Sequence, residues 1–150
     1  MKSVGLKGLV AATTVFVVCV LSGVFALQAW PSSAAAKPKK PAPFVVKVTP
    51  ALVAKGKAIV KAKGCGGCHT ITGAKSTGPT WKGLAGSKVH LTSGKTIVAT
   101  DSYLIGVITD PTTLQVQGYD ASIMTEMIPP GSVSKAQAEA IVAYIKTLKR

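Results

Sequence analysis

Gly64-Cys65-Gly66-Gly67-Cys68-His69 is the stretch that decides how this chain is read. Two thiols stand three residues apart, and an imidazole follows the second directly. The residues between them are glycines, which remove side chains where a flat group would lie against the backbone. Three cysteines in 150 residues, an odd number, are too few for a disulfide framework.

C-x-x-C-H is the attachment signature of c-type haem. Each thiol can add to one vinyl group of the ring, giving two thioethers, and His69 then falls beneath the iron as the proximal ligand. Two other readings use the same residues. A thioredoxin-like dithiol also has C-x-x-C, but it wants a βαβ setting that the sequence lacks. A zinc site needs a fourth ligand and usually a second Cys/His pair, and His90 is the only other histidine. Haem attachment uses all three residues and fits an exported chain.

Outward from the motif, charge is unevenly spread. Lys and Arg number 18 against 5 Asp and Glu, a formal net charge of +13. Residues 1–100 contain no acid, and Asp101, Asp110, Asp120, Glu126 and Glu139 all lie in the last third. A catalytic carboxylate pair would have to come from that third. Lys55, Lys57, Lys61, Lys63, Lys75, Lys82 and Lys88 are near the motif in sequence, so the attachment half is the basic half. That surface points to an acidic partner. Nucleic acid is not expected, because the lysines lack accompanying arginines and interleaved aromatics. The length excludes a large multidomain enzyme, and an apolar content of 47% excludes disorder throughout.

The N-terminal part reads as an export segment. Lys2 and Lys7 precede Leu9–Trp30, a run without charge. As a helix it would span roughly 33 Å, close to a hydrocarbon core of about 30 Å. The length favours a retained membrane anchor over a cleaved signal peptide, although Ala34-Ala35-Ala36 offers an A-x-A cleavage site. The expected divisions are 1–30 as signal-anchor or signal peptide, 31–48 as a Pro/Lys/Ala-rich linker, and 49–150 as the folded domain. Lys37, Lys39, Lys40 and Lys47 on the exported side run against the positive-inside rule. Cys19, inside the apolar run, reads as a small apolar residue.

Within the domain three main helices are expected. Thr49-Pro50 starts the first, with Leu52, Val53, Gly56, Ile59 and Val60 on one face and Gly64 as its stop. Asp101 is placed to cap the second, which carries Tyr103, Leu104, Val107 and Ile108 inward and ends at Asp110-Pro111. Ser134 and Gln137 form a capping box for the last, whose inward face is Ile141, Tyr144, Ile145 and Leu148. Residues 70–99 read as loops with a short hairpin around Ser93-Gly94, and 112–133 as another loop. Three helices and long loops make a thin core for about 100 residues, so something else is expected to fill the middle.

From about Thr49 onward the chain resembles class I monohaem cytochromes c, in particular the domain found free-standing or fused to subunit II of haem–copper oxidases. The matching stretches are Gly64–His69, Thr77-Gly-Pro-Thr-Trp-Lys-Gly-Leu84, Asp101-Ser-Tyr-Leu104, Gly118-Tyr119 and Ala143-Tyr-Ile-Lys146. No copper-binding domain accompanies them. The resemblance implies an all-α fold around one covalently attached haem c, preceded here by the N-terminal apolar helix. It implies a methionine as sixth ligand, from a loop before the last helix. Met124, six residues after Gly118, is the expected ligand and Met127 the alternative; His90 would be needed only for a bis-histidine site. Pro79 matches the family proline whose carbonyl holds the ring N–H of the proximal histidine. Trp81 and Tyr119 are expected to line the haem or bond a propionate. Gly56 and Tyr144 match the crossing of first and last helices.

The resemblance implies a one-electron carrier rather than an enzyme, on the periplasmic face and anchored in the inner membrane, or soluble in the periplasm after cleavage. Its partners would be acidic redox proteins such as a terminal oxidase or a dehydrogenase or quinol-oxidising complex, with residues 9–30 meeting the membrane if retained. Two further readings stand beside it: a haem subunit of a membrane oxidoreductase complex, and a gas-binding or peroxidase-type haem protein with an open iron.

Overall fold

The computed structural model of the chain describes residues 43–149. The membrane anchor or signal at 1–30, its cleavage site, Cys19, most of the linker and Arg150 lie outside the described residues.

Local signals set the first helix. Thr49 Oγ1 accepts the Leu52 N–H at 3.2 Å and Pro50 occupies the first helical turn, so α1 runs Pro50–Ala62. Gly64, at φ 67°, turns the chain out of it, a conformation open to glycine at little cost. A single 3₁₀ turn, Cys65–Gly67, follows.

Beyond the attachment loop come β1 (Lys88–His90) and β2 (Thr96–Val98), an antiparallel pair with Val89 opposite Ile97. They are the expected hairpin, closed by Leu91 N–H donating to Lys95 O at 2.9 Å and by Gly94 at φ 79°. Helix α2 (Asp101–Thr109) begins with a different cap from the one expected. Thr100 Oγ1 accepts the Tyr103 N–H at 3.2 Å. Asp101 is already helical, and its carboxylate points instead at Lys146.

The reading of residues 112–133 as loop is incomplete, because Ala121–Met127 forms a seven-residue helix, α3. Asp120 caps it by accepting the Ser122 N–H at 2.9 Å and the Ser122 hydroxyl at 2.7 Å. The last helix, α4 (Lys135–Ile145), opens on the expected capping box: Ser134 Oγ accepts from Gln137 N–H and Gln137 Oε1 from Ser134 N–H.

Helix α4 is the centre of the domain. α1 and α2 both pack on it, so Ala138, Ala140, Val142 and Ala143 are buried together with Ile141 and Ile145. One inward stripe was expected; the small alanines let two helices approach and bury the helix nearly all round, while Tyr144 and Leu148 are only half-buried. At the α1–α4 crossing Gly56 is buried, and a Cβ there would overlap the Ala140 carbonyl. The Gly56–Tyr144 crossing is therefore present.

The domain also begins earlier than Thr49. Val46, in the stretch read as linker, is 5% exposed and belongs to the core. Its N–H donates to Asp101 Oδ2 at 2.7 Å, and Lys146 Nζ donates both to that oxygen at 2.7 Å and to Val46 O at 2.9 Å. This clasp joins the start of the domain, α2 and the end of α4.

Candidate functional site

The 3₁₀ turn gathers the motif. Cys68 N–H and His69 N–H both donate to Cys65 O, at 3.3 and 3.0 Å. Cys65, Cys68 and His69 are thereby brought to the lining of one cavity of about 530 Å³. Both thiols are free and half-buried. A Cβ added at Gly66 or Gly67 would meet no other protein atom within 4 Å, so the packing of the protein itself does not demand glycine there.

The loop 77–81 is stapled to the segment leaving the motif. Gly78 N–H donates to Cys68 O at 2.8 Å and Trp81 N–H to Thr70 O at 2.8 Å. This brings Pro79 O to 2.8 Å from His69 Nδ1. A carbonyl only accepts, so Nδ1 carries the proton and the lone pair is left on Nε2. Burial pulls the His69 pKa below its ordinary value, against the opposing pull of the Pro79 carbonyl. The neutral, ligating form of the imidazole is therefore the stable one. Gly78 permits the approach: a Cβ there would stand 2.6 Å from His69 Cε1. Trp81, buried, stacks on the imidazole with ring centroids 4.9 Å apart.

The cavity walls are mainly apolar. Leu104, Val107 and Ile108 come from α2, Ile141 and Ile145 from α4, and Val133 from the loop between α3 and α4. Several of these carried a helical signal in the sequence and were read as core faces; nothing in their spacing marks a cavity rather than a partner helix. Tyr119 is half-buried on the same lining. Tyr103, not singled out as a site residue, joins it, and burial raises its phenol pKa.

Both candidate methionines line the cavity from α3. Met124 is half-buried, whereas Met127 is 70% exposed. His90 also borders the cavity, from β1 rather than a loop, and its side chain is exposed with Nδ1 2.9 Å from Thr96 Oγ1.

The residues fit haem c. Two thiols, a neutral imidazole and a thioether meet around one apolar cavity, the donor set of a six-coordinate c-type haem. The competing chemistries fit less well. Burial raises the Cys65 pKa, outweighing the lowering by its own backbone and Lys63, whereas a redox-active dithiol needs a lowered one. Among the described residues no three His, Cys, Asp or Glu side chains cluster to hold a bare metal ion.

Comparison with known proteins agrees. A search of curated proteins gave no match. The sequence profile of one family, Cytochrome c, matches residues 53–149, more than half of the chain. That family carries covalently attached haem c, and Cys65 and Cys68 fit its C-x-x-C-H site. With two thiols, an oriented imidazole and an apolar cavity assembled on a small helical frame, the chain belongs to the cytochrome c family.

Proposed function

We propose that this chain is an exported monohaem electron carrier that passes single electrons between respiratory partners, with His69 and Met124 as axial ligands. The observation that carries the reading is the arrangement of His69: neutral, fixed by Pro79, and set on the lining of an apolar cavity that Met124 shares. Haem c, when bound, supplies a one-electron couple. The chain's residues do the rest. Cys65 and Cys68 would tether the ring, and Pro79 fixes the tautomer and direction of His69. The soft thioether of Met124, as a ligand, would favour reduced iron and close it to other ligands. Leu104, Ile108, Ile141 and Ile145 keep water away.

Exported location is supported by membership of a family whose domains are typically extracytoplasmic. Among the described residues no helix is long and apolar enough to cross a membrane. Partner recognition rests on the lysines. Lys63 and Lys88 border the cavity, and Lys55, Lys57, Lys61, Lys75 and Lys82 are exposed. An acidic partner would be steered by these lysines, with rates that fall as salt rises.

Optical spectra of the purified holoprotein in both redox states test the assignment. The methionine–iron charge-transfer band should disappear in Met124→Ala and persist in Met127→Ala; the reverse pattern moves the ligand to Met127. Rapid carbon monoxide binding by the unaltered protein would mean an open iron and overturn the carrier reading. Transfer rates indifferent to ionic strength would remove the lysines from partner steering.

A further inference from the structure

His69 is held from three sides, and only one of them is a hydrogen bond. Pro79 O accepts the Nδ1 proton at 2.8 Å. The Gly78 backbone closes on the Cε1 edge, where a Cβ would stand at 2.6 Å. The third side is an aromatic face: the Trp81 indole lies against the imidazole, with centroids 4.9 Å apart and planes 20° from parallel. A hydrogen bond at Nδ1 fixes one direction in the ring but leaves rotation about that direction free. A stacked ring stops that rotation.

Trp81 is itself immobilised. Its side chain is buried in the core, the residue being 6% exposed, and its backbone is pinned: the main-chain N–H donates to Thr70 O at 2.8 Å and the main-chain carbonyl accepts from Leu84 N–H at 3.2 Å. Simple space filling would be served by any large apolar side chain. Near-parallel contact with an imidazole is served only by an aromatic one.

We propose that Trp81 is a positioning residue for His69: its indole sets the plane of the imidazole and, in the holoprotein, favours the ferric form. The inference rests on the reading of His69 as an axial ligand. An imidazole on ferric iron is more electron-poor than one on ferrous iron. The electron-rich face of an indole attracts positive charge placed over it. The stack therefore stabilises the oxidised state more than the reduced one, and its removal raises the reduction potential.

The test uses the holoprotein with Trp81→Leu and Trp81→Phe. Trp81→Leu should raise the potential, increasing the ferrous:ferric ratio at a fixed ambient potential by roughly two- to fivefold, a fraction of a typical aromatic pair. Trp81→Phe, which keeps a ring, should recover part of that change. The hyperfine-shifted His69 resonances of the ferric protein should move in Trp81→Leu and return part of the way in Trp81→Phe. If Trp81→Leu lowers thermal stability but leaves potential and hyperfine shifts alone, Trp81 is filler and the proposal is wrong. Should Trp81→Leu not fold, the unaltered ferrous protein decides, because absence of nuclear Overhauser contacts between the indole and the His69 ring overturns the stack directly. His69→Ala separates the two levels. An unchanged haem spectrum there sinks the ligand assignment, whereas an altered spectrum with indifferent Trp81 variants sinks only the positioning role.

Discussion

Two glycines in helices, replaced by the same residue, should move stability in opposite directions. At Gly56 the added Cβ overlaps the Ala140 carbonyl, stands 2.6 Å from the Ala140 carbonyl carbon and 3.1 Å from Tyr144 Cβ. The first two are backbone atoms of a buried helix, so no rotamer change relieves them and α1 must move off α4. Overpacking of this kind costs about 1–3 kcal/mol, and backbone contact places it at the upper end. Replacing a helical glycine by alanine returns about 1 kcal/mol of propensity. The net loss for Gly56→Ala is then about 2 kcal/mol, a fall in Tm of roughly 8–16 °C for a domain near 100 residues. Gly106, inside α2, has nothing within 4 Å of an added Cβ. Gly106→Ala should therefore collect the propensity term alone and gain up to about 1 kcal/mol. Thermal and guanidinium denaturation of the ferric holoproteins, followed by far-ultraviolet circular dichroism, gives both values. A Gly56→Ala protein as stable as the parent would refute the close approach of α1 and α4 on which the domain is built.

Three further outcomes are expected. Asp101→Ala removes the acceptor of the Val46 N–H and the partner of Lys146, and should cost about 2 kcal/mol in guanidinium denaturation; adding Lys146→Met should restore part of the loss, because the stranded ammonium goes with it. Burial raises the Tyr103 pKa, so the folded state disfavours the phenolate. Its contribution is complete below the ordinary value near 10 and is lost as pH rises through the higher folded pKa, so Tyr103→Phe should flatten the alkaline fall in stability; an unchanged fall would acquit Tyr103. Hydrogen bonds from the Ser122 hydroxyl and N–H hold the Asp120 carboxyl below its usual range. The α3 cap is thus present above the ordinary carboxylate pKa and lost as pH falls through the depressed one. Protection factors for amide exchange at Met124 and Thr125, corrected for the intrinsic rate, should fall in that acid window, and at neutral pH in Asp120→Ala.

Features governed by neighbours in sequence were legible from the residues alone. The Thr49-Pro50 start, the Ser134–Gln137 box, the Gly64 stop and the Ser93-Gly94 hairpin depend on contacts a few residues long, and each is present. Helix α3 was not legible. Seven residues give barely two turns, too short for a periodic pattern, and Asp120 followed by Ser122 was its one available signal. Val46 was missed because its partners are 55 and 100 residues away. The motif named Cys65, Cys68 and His69 at once, since its chemistry is contiguous. The likeness to a family supplied Pro79 through one residue pairing, and the hydrogen bond to His69 is there. Neither source announced the Trp81 stack, because Trp81 lies in a loop without periodicity and faces a ring rather than a helix.

The clasp of Val46, Asp101 and Lys146 has a kinetic meaning. It joins residues 100 apart, and closing a free loop of that length costs about 4 kcal/mol of entropy. Packing of Gly56 on Ala140 already closes nearly the same loop. With that crossing in place, the clasp closes little additional chain and carries almost none of that entropy. If it is unformed in the folding transition state, Asp101→Ala will speed unfolding and leave the folding rate alone, which the two arms of a chevron plot report separately. Two side chains and one peptide group thus act as a latch across the two ends of the domain, tying residue 46 to the close of α4.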